Sequence, residues 1–350
     1  MFDLLAPLLA GFPTVLLFLL ALIYLDSYKL VRLRRIMFAI LLGGTAAAIS
    51  YAANAVMLPR VALDFAAYSR YVAPIVEESA KALVVIYFIR SQRTGFLVDA
   101  SIVGFAVGAG FALIENAYYL HSVADPRILV WLIRGFGTAV MHGGTTTIFA
   151  ITAQLLAERT SPKKLRIFVP GLFAAILIHS MFNHLFISPV FSTLVILLVF
   201  PPLIFVVFGK SEASLQSWLE VGFDADTELL ELIYSGRLSE SKVGRYLQSL
   251  RQRFSGEVVA DLLCYLRIHV ELSLRAKGIL MMREGGFDIE PDEETRARFA
   301  ELKYLEGSIG VVGKLAMSPF LHISGRELWQ LYMLQDGIPS ARAEVGPPSP

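Results

Sequence analysis

VAPIVEESAKALVVIYFI, residues 72–89, places Glu77, Glu78 and Lys81 within five positions of an otherwise apolar helix-forming run. A bilayer core of about 30 Å takes about 20 helical residues, so this run with its flanks is long enough to cross. Each charged side chain at the centre of such a helix costs roughly 2.5–3.5 kcal/mol on insertion scales. Three of them together require compensation from other helices, from water or from a metal.

Outward from this stretch the composition agrees. Of 350 residues, 55% are hydrophobic, and the mean hydropathy of +0.61 excludes an ordinary soluble protein. The charges are segregated: residues 1–208 hold 15 Lys+Arg and 9 Asp+Glu, whereas 209–350 hold 16 and 21. The reading is an all-α polytopic membrane helix bundle over 1–208, a helical cytosolic domain over 209–338 and a disordered tail over 339–350.

About seven spans are expected, at 4–25, 36–57, 71–89, 96–119, 128–156, 166–187 and 189–208. Pro201-Pro202 should kink or break the last of them. One set of short loops holds Lys29, Arg32, Arg34, Arg35, Arg90, Arg93, Arg159, Lys163, Lys164 and Arg166; the alternate set holds Arg60, Arg70 and Arg127. That asymmetry puts the first set in the cytoplasm, the N-terminus outside and the tail inside. The flank MFD carries no positive charge, so the first span reads as an uncleaved anchor. Cys264 is the single cysteine, which excludes an intramolecular disulfide and a Cys-based zinc site.

In the tail, DADTELLELIYSG (224–236) reads as a helix with an acidic first turn and a glycine stop. SESKVGRYLQSLRQRF (239–254) and GEVVADLLCYLRIHVELSLRAKG (256–278) follow the same logic, the latter ending on Lys277-Gly278. FDIEPDEETRARF (287–299) reads as an acidic hinge before a further helix. His269 and His322 lack a nearby ligand partner and read as structural or surface residues. The tail suits a regulatory or docking module for a soluble partner, and no phosphate-binding loop or nucleic-acid motif is present.

Four spans carry the unusual polar residues: Glu77, Glu78 and Lys81; Glu115 and Asn116; Arg134 and His142; His179, Asn183 and His184. Positions four apart share a helix face, so Glu77 can pair with Lys81, and His179 and Asn183 point the same way. Glu77 and Glu78 diverge by about 100°, so they flank one site in different roles. His184 diverges from His179 by about 140° and falls outside. Arg134 is either a counter-charge or a snorkelling residue, and Asp99 reads as interfacial. Gly104, Gly108, Gly110, Gly135, Gly137, Gly143 and Gly144 let helices pack closely; Gly143-Gly144 could also open space for a substrate backbone.

Carboxylates and imidazoles inside a membrane suit hydrolysis, proton- or ion-coupled transport, or a structural polar network in a non-catalytic scaffold. The ordered set E77-E-S-A-K81, F111-A-L-I-E115-N116, His142 and H179-S-M-F-N183 resembles the PrsW family of intramembrane proteases, over residues 70–187. That family is grouped with type II CAAX prenyl endopeptidases and bacteriocin-processing enzymes.

The resemblance implies an intramembrane endopeptidase of metallo- or glutamic type, embedded in a bacterial cytoplasmic membrane. Its substrate would be a membrane protein or peptide, such as a membrane-anchored anti-sigma factor. It implies that Glu77 and Glu78 form the catalytic pair, with Glu77 activating water. His179 would be the essential histidine and Asn183 its oxyanion-stabilising partner, with Lys81, Glu115, Asn116 and His142 in support. Glu115 stands where the CAAX-type relatives use histidine. Glu78, Glu115, His142 and His179 are the candidate ligands if Zn2+ is the cofactor; no HExxH is present to decide it.

Overall fold

The computed structural model describes residues 13, 16–122, 128–160, 162, 164–184, 189–287, 289–321 and 325–338. Among them every regular element is helical: α1 Leu33–Met57, α2 Ala73–Arg90, α3 Leu97–Ser122, α4 Ile128–Arg159, α5 Val169–Asn183, α6 Pro189–Tyr234, α7 Lys242–Leu250, α8 Gly256–Glu284, α9 Glu293–Met317 and α10 Gly325–Asp336. Residues 16–24 are helical as well. The chain separates into two compact units, Met1–Ser214 and Leu215–Pro350.

In the first unit α3 is the central helix, with every residue from 98 to 112 buried. Its neighbours approach through glycine. A Cβ on Gly110 would lie 2.0 Å from the Ile40 carbonyl oxygen of α1, and one on Gly43 would lie 2.0 Å from that of Val107. On the opposite side a Cβ on Gly108 would meet the His142 carbonyl oxygen at 2.2 Å. Backbone-to-backbone contact at these points brings α1 and α4 against α3 and sets the depth of His142.

The lead into α2 is irregular. Asp64 caps a short turn, Phe65–Ala67, by accepting from the Ala67 N–H at 2.7 Å. A π-helical turn, Tyr68–Val72, follows and runs straight into α2. Pro74 sits in the first turn of α2, where proline is tolerated because the first N–H groups lack intrahelical partners.

By length and composition, Leu33–Arg60, Leu97–Tyr119, Leu165–Asn183 and Leu198–Tyr234 are long and apolar enough to cross a membrane. These are the four found among the described residues, where seven spans were expected. The start of the span expected at 4–25 lies outside the described residues. Helix α2 combines 18 residues with four charged ones, Glu77, Glu78, Lys81 and Arg90, so its apolar content is diluted.

The reading of the tail needs three corrections. Helix α6 runs unbroken through Pro201-Pro202 to Tyr234. Residues 224–234 therefore end a long helix rather than begin a new one, although Gly236 does stop the chain there, with φ 72°. Helix α8 passes Gly278 and ends at Glu284, because its buried stripe continues through Ile279, Leu280 and Arg283. Within the acidic hinge, Asp292 caps α9, so residues from Glu293 onward are already helical. Residues 339–350 and His322 lie outside the described residues.

The second unit is tied by a buried polar knot. Lys277 donates to Asp226 at 2.6 Å, to Ser273 Oγ at 3.1 Å and to the Gly222 carbonyl at 3.2 Å. Gln330 Nε2 donates to Ser273 Oγ at 2.8 Å. One lysine thereby joins α6 and α8, with α10 linked through Ser273. His269 is buried in this unit beside Tyr265, consistent with a structural role.

Candidate active site

Helix geometry splits the Glu77–Glu78 pair as their 100° divergence requires. Glu78 is 2% exposed and points into the bundle. Its Oε1 accepts from Lys81 Nζ at 2.6 Å and from Thr145 Oγ1 at 3.3 Å, and lies 2.7 Å from His179 Nδ1. Lys81 thus pairs with Glu78 at i,i+3, rather than with Glu77 at i,i+4 as the sequence suggested. Fully buried, Lys81 also reaches His142 Nδ1 at 3.1 Å and lies 5.0 Å from the Phe111 ring centroid.

Glu77 faces the other way and keeps 18% of its side-chain exposure. Its Oε2 lies 3.8 Å from His179 Nε2, beyond a direct hydrogen bond and at the spacing where an intervening group is expected. Its Oε1 accepts from Asn54 Nδ2 on α1 at 3.3 Å, and Asn54 Oδ1 accepts from the Tyr68 hydroxyl at 2.9 Å. Neither Asn54 nor Tyr68 was singled out from sequence. A polar residue inside the expected 36–57 span was the available signal for Asn54.

The two histidines meet edge to face, with ring centroids 5.1 Å apart. His142 is fully buried, with Nδ1 toward Lys81 and Nε2 in short contact with Glu115 Oε2. Its backbone carbonyl accepts from Thr145 and Thr146. Thr145, also missed from sequence, lies one turn beyond His142 and joins that turn to Glu78.

Glu77, His142 and His179 each offer a ligand atom within 4.8 Å of the others. This differs from the expected set of Glu78, Glu115, His142 and His179. Glu78 is withdrawn because its charge is spent on Lys81, Thr145 and the far nitrogen of His179. Glu115 contacts His142 at Nε2, whereas Glu78 contacts His179 at Nδ1 and leaves its Nε2 toward Glu77. A carboxylate on the far nitrogen of an imidazole, as Glu78 is on His179, is the arrangement that orients a metal-binding histidine.

The donor set of two imidazoles and one carboxylate suits a divalent transition metal such as zinc. Use of His142 Nε2 as a ligand requires that nitrogen to give up any proton it shares with Glu115, which makes binding pH dependent.

The remaining expected residues fall outside this group. Asn116, one residue past Glu115, is 1% exposed and accepts from Thr138 at 3.1 Å. Asn183 Nδ2 donates to the Ser69 carbonyl at 3.0 Å. His184 contacts the Ser180 carbonyl through Nδ1 and the Tyr71 ring. The side chain of Arg134 lies outside the described residues. Asp99 is fully buried in the protein: it accepts from the Gly95, Phe96 and Ala100 N–H groups and so caps the start of α3. Gly143 and Gly144 face Phe105 and Phe200 rather than open space.

No curated protein and no solved structure matches the chain. A family model described as PrsW family intramembrane metalloprotease does match, over residues 32–207. That range takes in α1 through α5 and every residue of the three-helix donor group. Half of this integral membrane chain is thus covered, and the protein belongs to the PrsW family of intramembrane metalloproteases.

Proposed function

We propose that the chain is an intramembrane endopeptidase whose reaction centre is the Glu77–His142–His179 group. The observation that carries this reading is the convergence of three donor atoms from three helices within 4.8 Å. In hydrocarbon, a helix bears the cost of such groups only where they have partners or work to do.

Glu77, His142 and His179 would hold the metal. Bound there, it would act as a Lewis acid on the scissile carbonyl and make a bound water more acidic. Glu78 accepts the Nδ1 proton of His179, which leaves the Nε2 lone pair toward Glu77 and the reacting space. Lys81 and Thr145 hold Glu78 in that role. Asn54 fixes one oxygen of Glu77, so the other stays turned to His179. In metal-free, glutamic hydrolysis the same carboxylate, which keeps part of its exposure, would instead take the water proton as general base.

The proposed substrate is a membrane-spanning protein segment cleaved in regulated proteolysis, such as a membrane-anchored anti-sigma factor. Family membership supports this reading. We further propose seven spans in a bacterial cytoplasmic membrane, the N-terminus outside and the second unit cytosolic, where it could bind a soluble partner. The loop charge asymmetry supports that orientation.

The test is cleavage of a membrane-anchored reporter by purified protein in proteoliposomes. Glu77→Gln and His179→Ala, folded and inserted normally, should lose about 100-fold or more in rate, the scale of a lost acid–base group. Retained cleavage would remove these residues from the chemistry. Metal analysis of the purified protein, with chelation and re-addition, separates metal-dependent from glutamic hydrolysis. Coupled proton uptake with no cleavage would favour the rival transporter reading instead.

A further inference from the structure

Pro74 has no N–H, and the backbone before it shows the consequence. In the π-helical turn the Ala73 N–H goes to the Tyr68 carbonyl. The next i→i+5 donor, for the Ser69 carbonyl, would be residue 74. The ordinary i→i+4 donor for the Arg70 carbonyl would also be residue 74. Residue 74 could serve only one of these carbonyls and, as proline, serves neither. The shift from i→i+5 to i→i+4 leaves one without it and the missing N–H leaves the other, and an unpaired backbone carbonyl within a membrane costs several kcal/mol.

Both are satisfied from a single helix. Asn183 Nδ2 donates to the Ser69 carbonyl at 3.0 Å, and Ser180 Oγ donates to the Arg70 carbonyl at 2.7 Å. Ser180 adjoins His179 in the chain and Asn183 lies one turn beyond it. The same π-helical turn is held on its other side, where the Tyr68 hydroxyl bonds Asn54 and Asn54 bonds Glu77.

We propose that Asn183 and Ser180 are positioning residues. They form a latch that docks α5 onto the carbonyls left open before Pro74, and so fix the depth and rotation at which His179 meets Glu77 and Glu78. This assignment rests on the proposed reaction centre, and it differs from a role for Asn183 as donor to an oxyanion. The amide that would serve the oxyanion is engaged with Ser69.

The test is a double-mutant cycle in the full-length protein, read by melting temperature, kcat and KM. Asn183→Ala should lower the melting temperature by several degrees and slow cleavage about tenfold or more. Pro74→Ala restores an N–H at position 74. Placed beneath Asn183→Ala, it should recover at least half of both losses. An oxyanion donor behaves otherwise: Asn183→Ala would leave the melting temperature unchanged and lower kcat by the same factor in either background. That result would overturn the latch.

Hydrogen exchange of residues 68–76 provides a second reading that does not need the Pro74 variant. Exchange should accelerate in Asn183→Ala and Ser180→Ala but not in Thr146→Ala, and equal exchange in all three would also sink the proposal. Failure of the parent protein to cleave any reporter bears on the protease reading, whereas the stability coupling between positions 74 and 183 bears on the latch alone.

Discussion

Among the side chains of this site, Lys81 has the most demanding place. It is fully buried, and its ammonium is divided between Glu78 and His142. Removing it leaves Glu78 charged with no lysine partner, so Lys81→Met should cost about 3–5 kcal/mol in unfolding titrations. Glu78→Gln added to Lys81→Met should recover much of that loss, because the stranded charge disappears. Glu78 also stands behind His179 at 2.7 Å. Glu78→Gln alone should therefore weaken zinc binding by about 10–100-fold in chelator competition. An unchanged affinity would show that His179 is oriented by something else.

Among the elements, α3 is the one whose neighbours have least room to adjust. The sites of Gly43 and Gly110 leave no space for a Cβ against the facing backbone. Gly110→Val should prevent α1 and α3 from closing and lower the thermal stability of the detergent-solubilised protein strongly. Gly44→Ala should do far less, since its new methyl would meet the Ile114 side chain at 3.2 Å, which can shift. Equal losses in the two variants would refute the crossing geometry. The consequence for function runs through Asn54: α1 carries it to Glu77, so a looser α1 also loosens the acid.

At the scale of the whole molecule, two measurements address the second unit. Burial holds the His269 imidazole down at about 4 from its ordinary 6.5, with Lys277 adding to burial while Asp226 and Glu306 oppose it. The unfolded chain binds this proton more readily, so stability is present above about pH 6.5 and is lost as pH falls toward 4. The loss is on the order of 3 kcal/mol at most, and His269→Leu should flatten the pH dependence of melting across that window. The second measurement uses Cys264, the one cysteine of the chain and partly exposed. An impermeant maleimide should label it in opened cells and not in intact ones. Labelling of intact cells would reverse the proposed orientation.

The class of the protein was legible at residue level. An EExxK run inside an apolar helix, followed in order by Glu115, His142 and His179 on the next three helices, pointed to the family that the match over 32–207 shows. Helix periodicity also separated Glu77 from Glu78, because a 100° divergence follows from sequence alone. Which acid joins His142 and His179 in the candidate ligand group was not legible, since that depends on where α4 and α5 stand around α2. Likewise, Lys81 lies within reach of both acids along its own helix, and only Thr145 and His179 arriving from other helices decide for Glu78. Asn183 shared a face with His179, as predicted, but its partner is a carbonyl left open before a proline more than a hundred residues earlier. Local chemistry and period are written along the chain, and they determined the helices, the polar inventory and the family. The pairing of those polar groups is a contact between distant segments, set by glycine-mediated helix crossings, and the tertiary structure alone decided it.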